Sequence, residues 1–511
     1  MTEKISENIR VRFAPSPTGG LHLGGVRTVL YNYLFARKFG GKFILRIEDT
    51  DQTRFVEGAE QYIYDCLAWC GMMPDESPAN PGAYGPYRQS ERKEIYLSYA
   101  EKLVAEGLAY YAFDTPEELE KMRQDFKTEL NPSPQYDASI RMSMKNGLTL
   151  SKEEVLDRLQ NKVPYVIRIK MPDHENIEFT DLIHGLVSFD SSTVDDKVLL
   201  KADGMPTYHL AVVVDDYLMK ITHAFRGEEW LSSAPVHVYL WKSLFGLDKM
   251  PLWAHLPLIL GPNGKLSKRD GAKFGFPVYA MNWTDPRNNE FTEGFKEKGF
   301  LPSAFNNMLA MLGWNSGTEQ EVFDMEQMIQ AFSIERIHKS GAKFDFEKAK
   351  WFNQEWIKKT DNHSLCHLVA PILQRENIAF GNEEVLTDII GLVKERCALL
   401  TDFIEQTSYF FRPPVIIDKD SIQPKWNEQK NTFFNSYITI LESLNWTLED
   451  IEDSFKAQAA SMQIKPGELQ LPFRIMLVGG KFGPAVFEIA HRIGKAETIS
   501  RIKHTLNLLN H

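Results

Sequence analysis

The chain has 511 residues, of which 43% are hydrophobic and 25% charged, and its formal net charge is −11. This length predicts several domains of roughly 100–200 residues each, and the composition argues against a collagen, a coiled coil or a mainly disordered protein. The acidic balance argues against nucleic-acid binding over the whole surface and confines any such contact to a local basic patch.

The cysteines are few and scattered, which argues against a disulfide framework and indicates a reducing compartment. They are Cys66, Cys70, Cys366 and Cys397. Cys66 and Cys70 have the spacing of one helix face, but two ligands do not make a metal site, so we expect plain burial. Residues 1–10 lack the apolar core of a signal peptide, and runs such as 210–214 are too short to span a bilayer. The sequence therefore predicts a cytoplasmic protein with no membrane partner.

Residues 9–51 have the pattern of a β-loop-α-β unit. Alternating apolar residues over 9–13 predict a strand, and the loop 14–20, rich in proline and glycine, ends it. Apolar residues at helical spacing over 26–34 then predict a helix, and 43–47 predicts a second strand. We expect the two strands to be parallel, with a right-handed crossover.

The loop of this unit leads into the N-terminus of its helix. Free N–H groups and the helix dipole favour phosphates there. Gly24 and Gly25 let a ligand approach the backbone closely, and His22 can donate a hydrogen bond to a phosphate oxygen. A histidine before two glycines is more often a satisfied loop residue, so the phosphate hypothesis requires a second element elsewhere in the chain.

Further along, residues 115–203 show helical charge patterning over 117–129 and a strand-like run over 163–169. The apolar run 210–214 predicts a buried strand with Asp215 and Asp216 at its carboxyl end, where open α/β sheets bind ligands. The acidic pair has two interpretations, a metal or acid–base pair and a strand-end cap with a turn. We favour the cap.

The second nucleotide element is Lys265-Leu266-Ser267-Lys268-Arg269, which follows an apolar run over 256–260 and the turn 261–264. Lysines on a mobile loop can follow the charge that builds on a leaving pyrophosphate. Alone, such a run is also typical of a basic surface loop. Together with the distant loop around His22, it predicts a site for a nucleoside triphosphate.

From about residue 275 the pattern becomes mostly helical, with an amphipathic segment over 304–313. Series of short alternating strands, typical of β-barrels, do not occur there. We expect Trp351 and Trp356 to pack in a core.

These motifs together resemble a known family. Residues 14–25, with Pro-Ser-Pro-Thr-Gly before His22, resemble the first signature of class I aminoacyl-tRNA synthetases in its glutamyl/glutaminyl form. Residues 46–51 and 203–230 match the same branch, and 265–269 resembles the second signature, with Lys268 as the lysine that contacts ATP phosphates. The helical C-terminal half is similar to that of bacterial glutamyl-tRNA synthetases, whereas the glutaminyl relatives usually end in β-barrels.

The resemblance implies an α/β fold. A class I Rossmann-type nucleotide-binding domain carries an inserted acceptor-binding domain and is followed by mostly α-helical stem-contact and anticodon-binding domains. The implied boundaries are 1–114 and 204–274 for the two halves of the Rossmann catalytic domain, 115–203 for the insertion, 275–345 for the stem-contact domain, and 346–425 and 426–511 for two anticodon-binding domains.

The resemblance also implies the site residues. The ATP-binding positions are Pro15, Ser16, Gly19, His22, Gly24, Gly25, Lys265, Ser267 and Lys268, of which His22, Lys265 and Lys268 are catalytic. The glutamate-binding positions are Arg12, Ser16, Glu48, Tyr208 and Arg226. Arginines suit carboxylates because they offer paired N–H donors, so Arg12 and Arg226 would engage carboxylates and Glu48 and Ser16 the α-amino end. Val212 stands near a point where some relatives carry a polar residue, so one pocket contact is expected to be missing.

The implied reaction joins L-glutamate to tRNA(Glu) through glutamyl-adenylate, with release of AMP and pyrophosphate, in a monomer. Mg²⁺ is expected only with ATP. Many relatives hold zinc in the insertion through three cysteines, but those places here are Ala112, Asp114 and Ile140, so we expect no zinc. His174 and His184 do not suffice for a tetrahedral site.

Three other functions have to be weighed against this one. The first is a non-discriminating enzyme that also glutamylates tRNA(Gln), which the anticodon-reading residues would decide. The second, a tRNA-independent adenylyl transferase of the same nucleotide fold, does not fit the long helical C-terminal half. The third, a non-catalytic tRNA-binding paralogue, does not fit the intact His22, Lys265 and Lys268.

Overall fold

The chain folds into two units, Met1–Glu297 with Phe305–Phe346, and Lys298–Ala304 with Glu347–His511. The computed structural model describes residues 8–51, 53–129 and 131–509. The signal-peptide prediction for residues 1–10 therefore falls mostly outside the described residues. Within the described ranges, no helix has the length and apolarity needed to cross a bilayer. The finer division into six domains stays a prediction.

In chain order the strands are β1 (Arg10–Phe13), β2 (Lys42–Leu45), β3 (Ala109–Ala112), β4 (Val166–Ile169), β5 (Asn176–Asp181), β6 (Gly185–Asp190), β7 (Val198–Leu200), β8 (His223–Gly227), β9 (Leu252–Leu256), β10 (Ile259–Gly261), β11 (Gly264–Lys265), β12 (Trp283–Asp285), β13 (Glu290–Thr292) and β14 (Ala342–Lys343). The helices are α1 (Leu23–Lys38), α2 (Ala59–Trp69), α3 (Lys93–Ala105), α4 (Pro116–Asp125), α5 (Lys152–Gln160), α6 (Tyr208–Leu218), α7 (Ala234–Leu244), α8 (Lys268–Phe274), α9 (Phe295–Lys298), α10 (Pro302–Met311), α11 (Met325–Ala331), α12 (Phe346–Lys359), α13 (Asn362–Arg375), α14 (Glu383–Val393), α15 (Asp402–Phe411), α16 (Lys419–Ile422), α17 (Glu428–Ser443), α18 (Leu448–Ser461), α19 (Pro466–Val478), α20 (Val486–Ile493) and α21 (Lys495–Leu509).

The main sheet of the first unit has the strand order β2-β1-β8-β9-β5-β6. The neighbours β1–β2, β1–β8, β8–β9 and β5–β9 run parallel, and only the β5–β6 hairpin is antiparallel. All four residues of β1 are buried, as expected for a parallel strand covered on both faces. With α1 joining β1 to β2, the predicted β-loop-α-β unit and the α/β fold class are confirmed.

The run 210–214 is not a strand, and that prediction was wrong. It forms the centre of α6, in which every residue of the run is buried. The helix packs against α3 and α7, so apolar side chains are favourable all around it. A short apolar run fits a buried helix as well as a strand, and periodicity cannot separate the two. Consequently Asp215 and Asp216 lie in the last turn of a buried helix and do not end a strand of their own.

Residues 109–200 hold a second sheet with the order β3-β4-β7. Helix α4 begins at a capping box, in which the Thr115 side chain accepts from Glu118 N and the Glu118 side chain accepts from Thr115 N. Helix α4 overlaps the segment 117–129, where a helix is predicted, and β4 lies within 163–169, where a strand is predicted. Strand β5, from the same part of the chain, joins the main sheet beside β9.

Two of the three positions that the resemblance associates with zinc in other proteins, Asp114 and Ile140, make ordinary contacts within the protein. Ile140 is buried, and the Asp114 carboxylate accepts hydrogen bonds from Tyr136 Oη at 2.9 Å and from Lys145 N at 2.7 Å. Among the described residues, no group of three or more potential His, Cys, Asp or Glu ligands is arranged to hold a metal ion. All four cysteines are buried free thiols, as predicted for Cys66 and Cys70.

The second unit is helical throughout its described residues, which confirms the predicted C-terminal architecture. Its core includes a cluster of packed aromatic rings from α17, α18, α19 and α20, namely Phe433, Tyr437, Phe455, Phe473 and Phe487. Trp356 packs against this core, as expected. Trp351 is 37% exposed, so its predicted burial was wrong; α12 buries the side of Ala349, Phe352 and Asn353 instead.

Candidate active site

A cavity of about 1140 Å³ opens beside the carboxyl ends of β1, β2 and β8. It exceeds the usual range of single-ligand pockets, so it can hold a nucleotide together with a second small molecule. Gly19 is the only predicted site residue outside its lining. The predicted residues that line it are Arg12, Pro15, Ser16, His22, Gly24, Gly25, Glu48, Tyr208, Arg226, Lys265, Ser267 and Lys268.

His22 is the N-cap of α1. Its Nδ1 accepts a hydrogen bond from Gly24 N at 3.4 Å, while its buried Nε2 has no hydrogen-bond partner within the described chain. When Nδ1 accepts, the proton of a neutral imidazole sits on Nε2. Burial, reinforced by the nearby Lys265, lowers the pKa of His22 to about 4. The side chain therefore presents a neutral N–H donor at the start of a helix.

Residues 265–269, here called the lysine segment, form mainly regular structure and not a loop. Gly264–Lys265 pairs with β10 in a hairpin, and Ser267 caps α8 through a reciprocal bond with Asp270. Lys265 Nζ lies 3.2 Å from Glu229 Oε1, and Lys268 Nζ lies 2.8 Å from Glu290 Oε2. Such partly exposed pairs are weak, so both ammonium groups can be drawn away at little cost.

Arg12 projects from β1 into a buried network of charges. Its Nε and Nη2 donate to Asp216 Oδ1 and Oδ2 at 3.2 and 3.3 Å. The fully buried Arg46 donates to Asp216 Oδ1 at 2.8 Å and to Glu48 Oε1 at 3.0 Å. The two arginines hold the pKa of Asp216 below its usual range although burial acts in the opposite direction. The charge of Arg12 is therefore already balanced inside the protein.

The neighbouring Asp215 is a counter-ion as well. It accepts from Arg92 Nε at 2.7 Å, Tyr96 Oη at 2.8 Å and Gln89 Nε2 at 2.9 Å. Neither a strand-end cap nor a metal or acid–base pair describes the two aspartates, because both are saturated by arginine and polar donors. The preferred cap interpretation was wrong.

Arg226, on β8, has different surroundings. Its Nε donates to His255 Nε2 at 2.9 Å, its Nη1 lies 3.3 Å from Tyr208 Oη and 3.2 Å from His237 Nδ1, and its guanidinium lies 4.5 Å from the centre of the Trp253 ring. Its buried Nη2 has no hydrogen-bond partner among the described residues. Every one of these contacts is neutral, so the cation lacks a direct counter-ion.

Several of these groups could not be identified from the sequence. His255 and His237 stand alone on an apolar strand and an apolar helix, and a lone histidine in such a run carries no functional signal. Glu229 and Glu290 look like ordinary surface carboxylates. Val212 contributes a buried apolar side chain to the cavity lining.

Comparisons with known proteins agree over nearly the whole chain. A family described as class I tRNA synthetases (E and Q), catalytic domain, matches residues 8–351, and an anticodon binding domain matches 364–506. The chain is 50% identical to the glutamate–tRNA ligase of Amoebophilus asiaticus, over 99% of both chains, and 48% identical to that of Christiangramia forsetii, over 99% of this chain and 100% of that one. The crystal structure of a glutamate tRNA ligase from Elizabethkingia meningosepticum in complex with its amino acid superposes with a TM-score of 0.93 at 46% identity, over 98% of this chain and 99% of that one.

Proposed function

Because the chain belongs to the glutamate–tRNA ligase family of class I aminoacyl-tRNA synthetases, we propose that its cavity holds ATP against the His22 loop and the lysine segment, and glutamate against Arg226. Members of this family activate their amino acid with ATP and transfer it to tRNA. The observation that carries the proposal is the buried cation of Arg226, which within the described part of the chain has an unpaired N–H group and only neutral direct partners.

The chemistry needs no protein nucleophile. An oxygen of the glutamate α-carboxylate attacks the α-phosphorus of ATP, the bond from that phosphorus to the bridging oxygen breaks, and pyrophosphate leaves. A terminal ribose hydroxyl of the tRNA then attacks the acyl carbon of glutamyl-adenylate, loses its proton, and AMP leaves. The protein contributes positioning and charge stabilisation.

For ATP, we assign the phosphates to the N-terminus of α1. His22 Nε2–H supplies a donor beside the positive end of the helix dipole, and a Cβ on Gly24 would point into open space that a ligand can use. Lys265 and Lys268 exchange their carboxylate partners for phosphate oxygens as charge develops on pyrophosphate. Mg²⁺ would arrive with ATP and be held by its phosphates.

For glutamate, we assign Arg226 to the side-chain carboxylate and Tyr208 to a hydrogen bond beside it. Arg12, whose Nη1 makes only a 3.5 Å contact with Phe225 O, serves the α-carboxylate. Glu48 and Ser16 hold the α-ammonium group. A neutral glutamine side chain would leave the buried Arg226 without an anion, so the pocket selects glutamate.

Residues 364–506 match an anticodon binding domain, and we assign tRNA(Glu) as the RNA that they contact. The proposed enzyme is a cytoplasmic monomer.

The experiment is ATP–pyrophosphate exchange with glutamate or glutamine, each with and without tRNA(Glu). We expect exchange with glutamate only, and only when tRNA is present. Exchange with glutamine would refute the assignment of Arg226, and absence of exchange under every condition would indicate a non-catalytic paralogue. Exchange with glutamate in the absence of tRNA would instead favour a tRNA-independent adenylyl transferase.

A further inference from the structure

A chain of polar groups extends behind Arg226, away from the cavity lining. Asp181, at the end of β5, accepts from His255 Nδ1 at 2.6 Å, and His255 Nε2 accepts from Arg226 Nε at 2.9 Å. The side chains of Asp181 and His255 are both fully buried, at 0% exposure. Three neighbouring parallel strands, β5, β9 and β8, thus each contribute one member of a single line.

Asp181 is fixed by more than the histidine. Its Oδ1 accepts from the backbone N–H groups of Ile183 and His184 at 2.9 Å each, and its Oδ2 also accepts from His255 N at 3.1 Å. With four donors around it the carboxylate stays ionised, and its hydrogen bonds lower its pKa although burial acts in the opposite direction. A carboxylate can only accept, so it forces the proton of His255 onto Nδ1.

The other imidazole nitrogen must then be an acceptor. Arg226 Nε–H is always a donor, and a protonated His255 would set two donors against each other. Burial accordingly lowers the pKa of His255 to about 4. His237 repeats the arrangement on the other side: its Nδ1 lies 3.2 Å from Arg226 Nη1, and its Nε2 lies 3.1 Å from His209 Nδ1.

We propose that Asp181 and His255 are positioning residues, which orient Arg226 by fixing one tautomer of the imidazole and leave Nη2 of Arg226 for the side-chain carboxylate of glutamate. This inference rests on the proposed assignment of Arg226. A carboxylate in direct contact would fix the guanidinium equally well, but it would balance the charge, as Asp216 does for Arg12. A neutral imidazole holds the geometry and keeps the cation available for the substrate.

The variant Asp181→Asn tests the tautomer. The new amide can take two orientations. With its oxygen facing the N–H groups of Ile183 and His184, only the backbone N–H of His255 loses its acceptor. With its NH₂ group facing them, both of those backbone N–H groups lose their acceptor. The first orientation is therefore favoured, and it presents an N–H to His255 Nδ1. The imidazole proton then moves to Nε2 and opposes the donor of Arg226. Loss of a hydrogen bond to a charged group predicts a KM for glutamate about tenfold to hundredfold higher, with the KM for ATP unchanged.

A second substitution, His255→Gln, tests whether an effect of Asp181→Asn comes from the tautomer of the imidazole or from altered packing. In His255→Gln the side-chain oxygen can accept from Arg226 in either state of Asp181, so we expect a KM for glutamate within about threefold of the wild type. When Asp181→Asn is added to His255→Gln, we expect the KM for glutamate to rise by less than about twofold. His255→Leu, which removes the acceptor altogether, should reproduce the effect of Asp181→Asn if the latter variant folds poorly.

The matched control is Asp196→Asn, another buried carboxylate that accepts from a tyrosine hydroxyl and a backbone N–H. It should lower the melting temperature without changing the KM for glutamate. An Asp181→Asn effect of equal size in the His255→Gln background, or a parallel rise in the KM for ATP, would overturn the inference. So would a folded Asp181→Asn variant with normal KM. Arg226→Gln separates the positioning role of Asp181 and His255 from the assignment of Arg226 to glutamate. If Arg226→Gln raises the KM for glutamate while Asp181→Asn does not, only the positioning inference fails. If Arg226→Gln has no effect on that KM, the pocket assignment fails.

Discussion

Two arginines with the same predicted role have opposite electrostatic surroundings. Arg12 has Asp216 as a direct counter-ion, whereas Arg226 contacts two imidazoles, a phenol and an indole ring. Resemblance to the family identifies both positions, but it does not reveal this difference. The partners come from α6, α7 and β9, distant in sequence from β1, and only the fold brings them together.

This difference predicts opposite effects on stability. Arg12→Gln removes one of the two cations that balance the buried Asp216, so we expect the free energy of unfolding to fall by about 2 kcal/mol. Arg226→Gln removes a buried charge without a direct counter-ion, so the stability without substrates should be unchanged or higher. Urea unfolding of both variants would decide this. Equal destabilisation would mean that the charge of Arg226 is compensated within the protein.

The elements around the nucleotide loop could be predicted from sequence because their signals are local. A strand of alternating residues, a proline- and glycine-rich loop and a helix at 3.6-residue spacing specify the β1-α1-β2 unit independently of the rest of the chain. Helix α6 could not be predicted from the sequence, because its β-branched residues favour a strand and only burial between α3 and α7 makes it a helix. The same error misplaced Asp215 and Asp216.

The hairpin β12–β13 carries Glu290 to within 2.8 Å of Lys268 Nζ at the start of α8. In the proposed site this pair must break before Lys268 can contact a phosphate, but its partial exposure makes it worth only about 0–1 kcal/mol. Glu290→Gln should therefore lower the KM for ATP by up to about threefold, leaving the melting temperature unchanged. The same charge change at the exposed Glu319 serves as control. A KM for ATP that stays constant or rises in Glu290→Gln would show that the pair does not compete with phosphate.

At the scale of the whole molecule, an acidic chain binds two polyanions, ATP and tRNA. In the cavity lining, cationic side chains outnumber carboxylates although the chain as a whole carries a formal charge of −11. The cavity of the first unit thus has a local excess of positive charge on an acidic chain, whereas the basic patch for tRNA stays a prediction. The first unit also contains several histidines that are neutral in the folded protein, and they make its stability depend on pH.

Burial lowers the pKa of four histidines of the first unit to about 4; they are His22, His209, His223 and His255. In the unfolded chain each has its ordinary pKa near 6.5 and binds a proton below it, whereas the folded protein leaves the imidazole neutral down to about pH 4. The stabilisation is therefore complete above pH 6.5 and is lost as the pH falls towards 4. Each histidine should cost about 2 kcal/mol between pH 7 and pH 5.

Two buried carboxyl groups act in the opposite direction, because burial raises the pKa of Asp196 to about 6 and also raises that of Glu48. Since histidines are in the majority, the free energy of unfolding should decrease from pH 7 to pH 5, as measured by calorimetry of the full chain. His223→Gln removes one titrating imidazole that has no assigned role in the site, so its stability should depend less steeply on pH than that of the wild type. If the wild type and His223→Gln lost the same free energy of unfolding between pH 7 and pH 5, burial would not be keeping His223 neutral in the folded protein.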